Sequence, residues 1–186
     1  MANKDAAFGL KAIGKVGQNK DNQGLSEYSI AASSSAIYQW DPVQMAATGE
    51  VEVAAAGDVL LGSLNGVFYT DASTSKPTWA NHLAASNTAT DIVGFVADDP
   101  YERFEIQSAG TVAQTNIGNC ADIAYTAGAS PNYISKVEIS GTMAATAAQL
   151  KIIGVSKDPD NNELGAANAN VIVTIAEHFL TQTAGI

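Results

Sequence analysis

The chain has 186 residues and a formal net charge of −10, with 46% apolar but only 15% charged and 7% aromatic residues. That length suits one compact domain able to bury a core of its own, and the acidic balance excludes general binding to nucleic acid, whose phosphates it would repel. A typical protein carries about 25% charged residues, so the surface here is built largely from Ser, Thr, Asn, Gln, Gly and Ala and suits being covered by neighbours.

Residues 1–24 read as an extended arm. Four lysines (Lys4, Lys11, Lys15 and Lys20) stand against Asp5 in the first twenty residues, whereas the rest of the chain holds five basic and eighteen acidic residues. Glycines punctuate this stretch, and Phe8, Leu10, Ile13 and Val16 follow neither a helical nor a strand period. From residue 25 onward a single body of short strands between turns is predicted. Residues 26–32 alternate, 36–40 follow, and Asp41-Pro42 breaks the pattern. Residues 58–64 and 67–70 flank Asn65-Gly66, the strongest short hairpin pattern. Residues 71–90, rich in Ser, Thr and Asn around Lys76-Pro77, read as a long loop holding Trp79 and Leu83.

Strands are predicted again over 91–97 and over 103–107, the latter with Phe104 and Ile106 inward and Arg103, Glu105 and Gln107 outward. Two short β segments are expected in 111–126, an alternating strand over 133–139, and one or two helical turns in the Ala-rich 142–149. Residues 149–155 and 171–177 are the last strong strands. The fold class is therefore mainly β: a compact barrel or sandwich body with an extended N-terminal arm and at most short helical turns.

No motif carries a reaction. Gly9 to Lys15 has the spacing of a phosphate-binding loop, but the next position must be Ser or Thr to ligate magnesium and is Val16. Asp158-Pro159-Asp160-Asn161-Asn162 opens like a calcium loop, yet Glu163 and Ala169 stand where Gly and a bidentate Glu are needed. Asp98 and Asp99 are adjacent in a strand-ending turn, where neighbours face opposite ways, and Arg103 is the expected partner of Asp99. Cys120 is the only cysteine, which excludes an intrachain disulfide and a paired-cysteine metal site. His82 and His178 lie outside any zinc-binding or nucleophile-elbow pattern. The expectation is a protein that is not an enzyme and has no cofactor and no metal. Tyr38, Trp40, Tyr69 and Trp79 are expected in the core or at an interface, with a ligand groove as the other reading. No run of about 18 apolar residues predicts a membrane helix. The first residues lack a signal-peptide core, which predicts synthesis in the cytoplasm without ordinary export.

Several stretches resemble the small virion proteins that tailed bacteriophages, particularly marine ones, encode near the major capsid protein. They are the opening Met1-Ala2-Asn3-Lys4-Asp5-Ala6-Ala7-Phe8-Gly9-Leu10; Tyr28-Ser29-Ile30-Ala31-Ala32; Val96-Ala97-Asp98-Asp99-Pro100 with Phe104-Glu105-Ile106-Gln107; and 150–155 with Asp158-Pro159-Asp160-Asn161 and the strand over 171–178. The resemblance implies a capsid decoration (cement) protein on the outer surface of the virion, often a homotrimer, whose partners are the major capsid protein and itself. On that reading Phe8 and Leu10 are apolar anchors of the arm, and Lys4, Lys11, Lys15 and Lys20 face acidic surface of an adjacent subunit. The competing expectations are a phage tail or receptor-binding component, and a non-viral β-rich binding module.

Overall fold

The computed structural model describes residues 2–17 and 24–182. Its regular structure is almost entirely strand: β1 (Lys11–Lys15), β2 (Ser26–Ser29), β3 (Pro42–Met45), β4 (Val51–Val53), β5 (Gly62–Thr70), β6 (Pro77–Ala80), β7 (Val93–Ala97), β8 (Glu102–Gln107), β9 (Cys120–Ala121), β10 (Ile123–Ala124), β11 (Glu138–Ile139), β12 (Leu150–Val155) and β13 (Asn170–Ile175). Two single 3₁₀ turns, Gln114–Asn116 and Phe179–Thr181, complete it. One sheet has the order β1-β8-β13-β12-β9 and a second the order β2-β7-β5-β3-β4, with β6 beside the far half of β5. A ribbon of β10 and β11 stands apart, and every ladder between named strands is antiparallel. The body is sandwich-like, as its strand pattern predicts.

Alternation places the core. In β8, Phe104 and Ile106 are fully buried against Ile152 of β12 and Val173 of β13. The second core gathers Val43, Leu61, Leu64, Val67 and Val96 under Ile37 and Leu83. Successive residues serve different cores, both in β7 of the second sheet and just before β5: Leu60 and Ala97 belong to the first, Leu61 and Val96 to the second. Side chains two faces apart are what a strand supplies, so the end of this sheet near Ala97 is a wall with apolar packing on both sides. Gly62 stands in it because a Cβ there would meet the Ala97 carbonyl oxygen at 2.1 Å.

Four expectations are corrected. Asn65-Gly66 is not a hairpin turn; neither residue has the positive φ that such a turn requires. Leu64 pairs with Val96 and Gly66 with Phe95, so Asn65 is the extra residue of a bulge inside one nine-residue strand. The loop over 71–90 contains β6, which returns along β5 through the pairs Thr70–Pro77 to Val67–Ala80. Its turn is closed by Asp71, whose carboxylate accepts the amides of Ser73 and Thr74 at 2.9 and 2.8 Å. Residues 142–149 form no helical turn, because Ala144 exchanges backbone hydrogen bonds with Cys120 at the sheet edge. Gln107 keeps the face of Arg103 and Glu105 but is buried there, not exposed, because the N-terminal segment covers it: its amide receives the Ala6 N–H and donates to the Lys4 carbonyl, each at 2.9 Å.

That last contact bears on the arm. Over 2–17 the chain lies against its own body: β1 joins the first sheet beside β8, and Leu10 is fully buried in the first core. Asn161 donates to the Lys4 carbonyl at 2.7 Å, and Asn3 exchanges hydrogen bonds with the Glu163 backbone. A buried leucine cut to alanine costs about 2–5 kcal/mol. Leu10→Ala is expected to lower unfolding free energy by that amount in urea denaturation, and an unchanged midpoint would contradict the place of this segment in the core.

Candidate functional site

The residues expected to contact another subunit come apart in the structure. Leu10 is fully buried in the first core of its own chain. Phe8 is half-buried and lines a hollow with Pro131, Ile134 and Lys136. Lys4 is exposed and pairs with Asp160. Lys15 pairs with Asp99 at 2.7 Å, taking the place expected for Arg103, and this bond holds the Asp99 carboxyl below the usual carboxylate range. Lys11 lies over the Trp40 ring, 5.4 Å from its centroid. Lys20 lies outside the described residues.

β1 is the edge of the first sheet; among the described residues no strand pairs with its other side. Its register slips between Ala12 and Gly14, so Ile13 is a bulge residue. Ile13 is 38% exposed and Val16 53% exposed, and the Val16 N–H donates to the carbonyl of Tyr101, itself 70% exposed. Glu102, buried beneath, accepts the Gly14 N–H at 3.0 Å and so fixes the bulge; burial raises its pKa. The phosphate-loop spacing thus falls on a strand.

The other motifs resolve into structural contacts. Asp98 accepts the Ser26 hydroxyl at 2.9 Å and the Tyr28 hydroxyl at 2.6 Å, while Asp99 turns to Lys15 and to the Tyr101 amide. Burial and the Asp98 bond push the Tyr28 hydroxyl up to about 12. In the 158–162 turn, Asp158 accepts the Asp160 amide and Asn161 is committed to Lys4 and Asn168. His82 is stacked on Tyr133 with centroids 3.9 Å apart, and Tyr38 lies parallel on a longer spacing of 6.3 Å. His178 caps the Phe179–Thr181 turn through Nδ1, and burial lowers its pKa. Among the described residues no three His, Cys, Asp or Glu side chains are grouped to hold a metal ion, and no helix is long and apolar enough to cross a membrane.

Two features escaped the sequence reading. The first is a set of rings on the outer face of the second sheet, where Trp79 is 68% exposed and stacks on Phe95. Period-two alternation marks Phe68 and Phe95 as facing one way, but the register that brings Trp79 beside them depends on β6, hidden in the supposed loop. The second is Asp41, fully buried, which accepts the Tyr38 N–H at 2.8 Å. Burial raises its pKa to about 6, and hydrogen bonds from Ser135 and Tyr38 offset only part of that cost. No protein-family model, no curated protein and no solved structure matches the chain.

Because the folded state binds the Asp41 proton more tightly than the unfolded chain does, the stability this group contributes is complete below about pH 4 and lost as pH rises through about 6. Each pKa unit is worth about 1.4 kcal/mol. The stability of the native protein minus that of Asp41→Asn is expected to fall by on the order of 2–3 kcal/mol between pH 4 and 7 in parallel urea titrations. A difference that stays flat with pH would show that Asp41 does not titrate across this range.

Proposed function

We propose that this chain is a structural virion protein that binds the outer surface of a phage capsid and cements neighbouring capsomers, with β1 as its contact edge. The observation that carries the reading is the composition of that edge. Free sheet edges are normally blunted by charge, proline, a bulge or a covering element, and β1 carries a bulge, yet that bulge turns an apolar side chain outward. Here Ile13 and Val16 stand exposed along the edge, with Tyr101 exposed beside Val16 on the β8 side, and the nearby Lys15 is drawn into a pair with Asp99. Such an edge suits a fixed partner. The resemblance of the chain to small phage virion proteins supplies the partner: the major capsid protein, with further copies of this chain beside it. Lys4 is exposed, with its ammonium paired to Asp160, and Lys11 is half-exposed over Trp40.

The role requires no catalysis. A protein that binds only the mature shell stabilises that shell by mass action, and contacts that are weak singly accumulate across a lattice of copies. Because Leu10 and β1 are part of the fold, the contact is a surface of the body and not a detachable tail. A deletion of the whole segment therefore confounds folding with binding, and point changes at the exposed positions are the cleaner probe.

Quantitative mass spectrometry of particles from the virus that encodes the chain is expected to give a simple, fixed ratio to the major capsid protein. The double variant Ile13→Asp, Val16→Asp is expected to keep its melting temperature and to lose at least about tenfold in occupancy, since burying two uncompensated charges is costly. Full occupancy by that variant would sink the role of β1. A few copies per particle would move the protein to the tail or receptor-binding apparatus, and absence from particles would leave a β-rich binding module.

A further inference from the structure

The outer face of the second sheet is only half covered. At one end Ser63 and Ala97, a cross-strand pair, lie under the first core, and the Ser63 hydroxyl donates to the Leu10 carbonyl. Beyond them the same face continues through Gly66 and Phe95 to Phe68 and Trp79, and there the covering stops. Gly66 has no side chain, so a slot opens between β6 and Phe95. The Trp79 indole leans across it, 4.7 Å from Phe95 at an interplanar angle of 26° and 5.2 Å from Phe68. An aromatic ring laid over a cross-strand glycine is a known way to close such a slot. One face of the indole is thereby fixed against two rings, and the side chain as a whole stays 68% exposed.

Two hollows meet beside it. One, of about 460 Å³, runs along Trp79, Phe95 and Gly66; the other, of about 320 Å³, runs along Trp40, Lys11 and Ser63; Leu25 and Asn65 line both. Ligand clefts span roughly 300–1,000 Å³ and combine apolar walls with a few placed polar groups. Asn65 is such a group. The bulge turns it outward at the junction, where its amide is exposed and makes no hydrogen bond among the described residues. Trp40 is held in the left-handed region at φ 65°, pinned by its N–H to the Leu64 carbonyl and by its own carbonyl to the Leu10 N–H. A bulky residue in that conformation is strained, and strain of this kind gathers at binding sites.

We infer that this trough binds a neutral oligosaccharide of pyranose rings, one ring stacking on Trp79 and the chain passing Asn65 toward Trp40. A pyranose ring offers what the trough asks for: a flat C–H face for the indole and hydroxyls at its edge for the amide. A nucleobase also has a flat face, but it brings phosphates to a chain of net charge −10 and to Glu27, which stands opposite Phe95 in the β2–β7 register. A protein partner fits less well, because stable interfaces need about 800 Å² from each side and the exposed apolar surface here centres on one side chain. The fixed rings mean that little ordering accompanies binding. The inference does not depend on the capsid reading, and its test uses the isolated chain.

The full chain is titrated with hexamers of β-1,4-linked glucose, α-1,4-linked glucose and β-1,4-linked N-acetylglucosamine, following tryptophan fluorescence and heat. A heparin hexasaccharide and a thymidine hexanucleotide serve as anionic probes. At least one neutral hexamer is expected to bind, with affinity reduced at least about tenfold by Trp79→Ala and less by Asn65→Ala, and largely kept by Trp79→Phe. Circular dichroism verifies that each variant is folded. Four results would overturn the inference: no neutral hexamer binding at about 10 mM; binding unaffected by Trp79→Ala; binding of the anionic probes alone; or self-association that Trp79→Ala abolishes with no sugar bound, which would assign the face to a second copy.

Discussion

Leu60 and Leu61 are neighbours in the chain and lie in different cores, as do Val96 and Ala97. The rest of the molecule depends on this division. A small β protein usually buries one face of each sheet and leaves the other to water. Here the second sheet is buried on both faces at one end, so the chain builds two modest apolar clusters around a common wall. The close approach at Gly62 makes the wall thin, and any side chain there would push β7 away from β5. It also sets the limit of the first core. Where that core stops covering the second sheet, the rings of Phe68, Phe95 and Trp79 begin.

The N-terminal segment is fastened by amides more than by charges. Gln107, Asn161 and Asn3 hold its backbone, and Leu10 inserts into the core. Of the two ion pairs it makes among the described residues, Lys4 with Asp160 is largely exposed, and such pairs are worth little, while Lys15 with Asp99 is partly buried and ties the end of β1 to the turn before β8. Buried hydrogen bonds matter differently: an unsatisfied partner left behind costs on the order of 1–3 kcal/mol. Gln149 repeats the device elsewhere, donating to the carbonyls of Ala55 and Asp58 and accepting the Ile123 amide at 2.9 Å. A chain poor in charge thus keeps its loops in place with neutral side chains, and its composition becomes intelligible as structure as well as surface.

The strands over 103–107, 149–155 and 171–177 were legible because alternation is a local property, and Phe104, Ile106 and Ile152 fall inward as it requires. What was not legible depends on the partner strand. Asn65-Gly66 has hairpin chemistry, but β7 pairs with residues on both sides of it, so the chain continues as one bulged strand. Thr78 and Trp79 favour a strand, but Lys76-Pro77 before them and Asn81 after them read as loop, and only the ladder with β5 shows the four residues to be a strand. Gln107 was assigned outward by period, and the Ala6 and Lys4 backbone groups reverse its environment. Residues 1–24 were read as an extended arm, and nothing local announced that β8 would accept residues 11–15 of it as β1. The site suffers most from this, since Trp79, Phe95 and Asn65 are brought together by register alone.

The bulges share a pattern that joins the fold to its surfaces. The register slips at Ile13, Asn65 and Ile153, and each is followed by a glycine: Gly14, Gly66 and Gly154. A glycine inside a strand often marks such a place, and the extra residue is turned out of the ladder. Ile13, Asn65 and Ile153 are all exposed in consequence. Two of the three stand on the surfaces argued above, Ile13 on the free edge and Asn65 in the trough. β1 connects those surfaces, because Lys11 and Ala12 line the trough and Ile13 and Val16 face outward. A partner gripping the edge and an occupant of the trough would therefore act on one short strand.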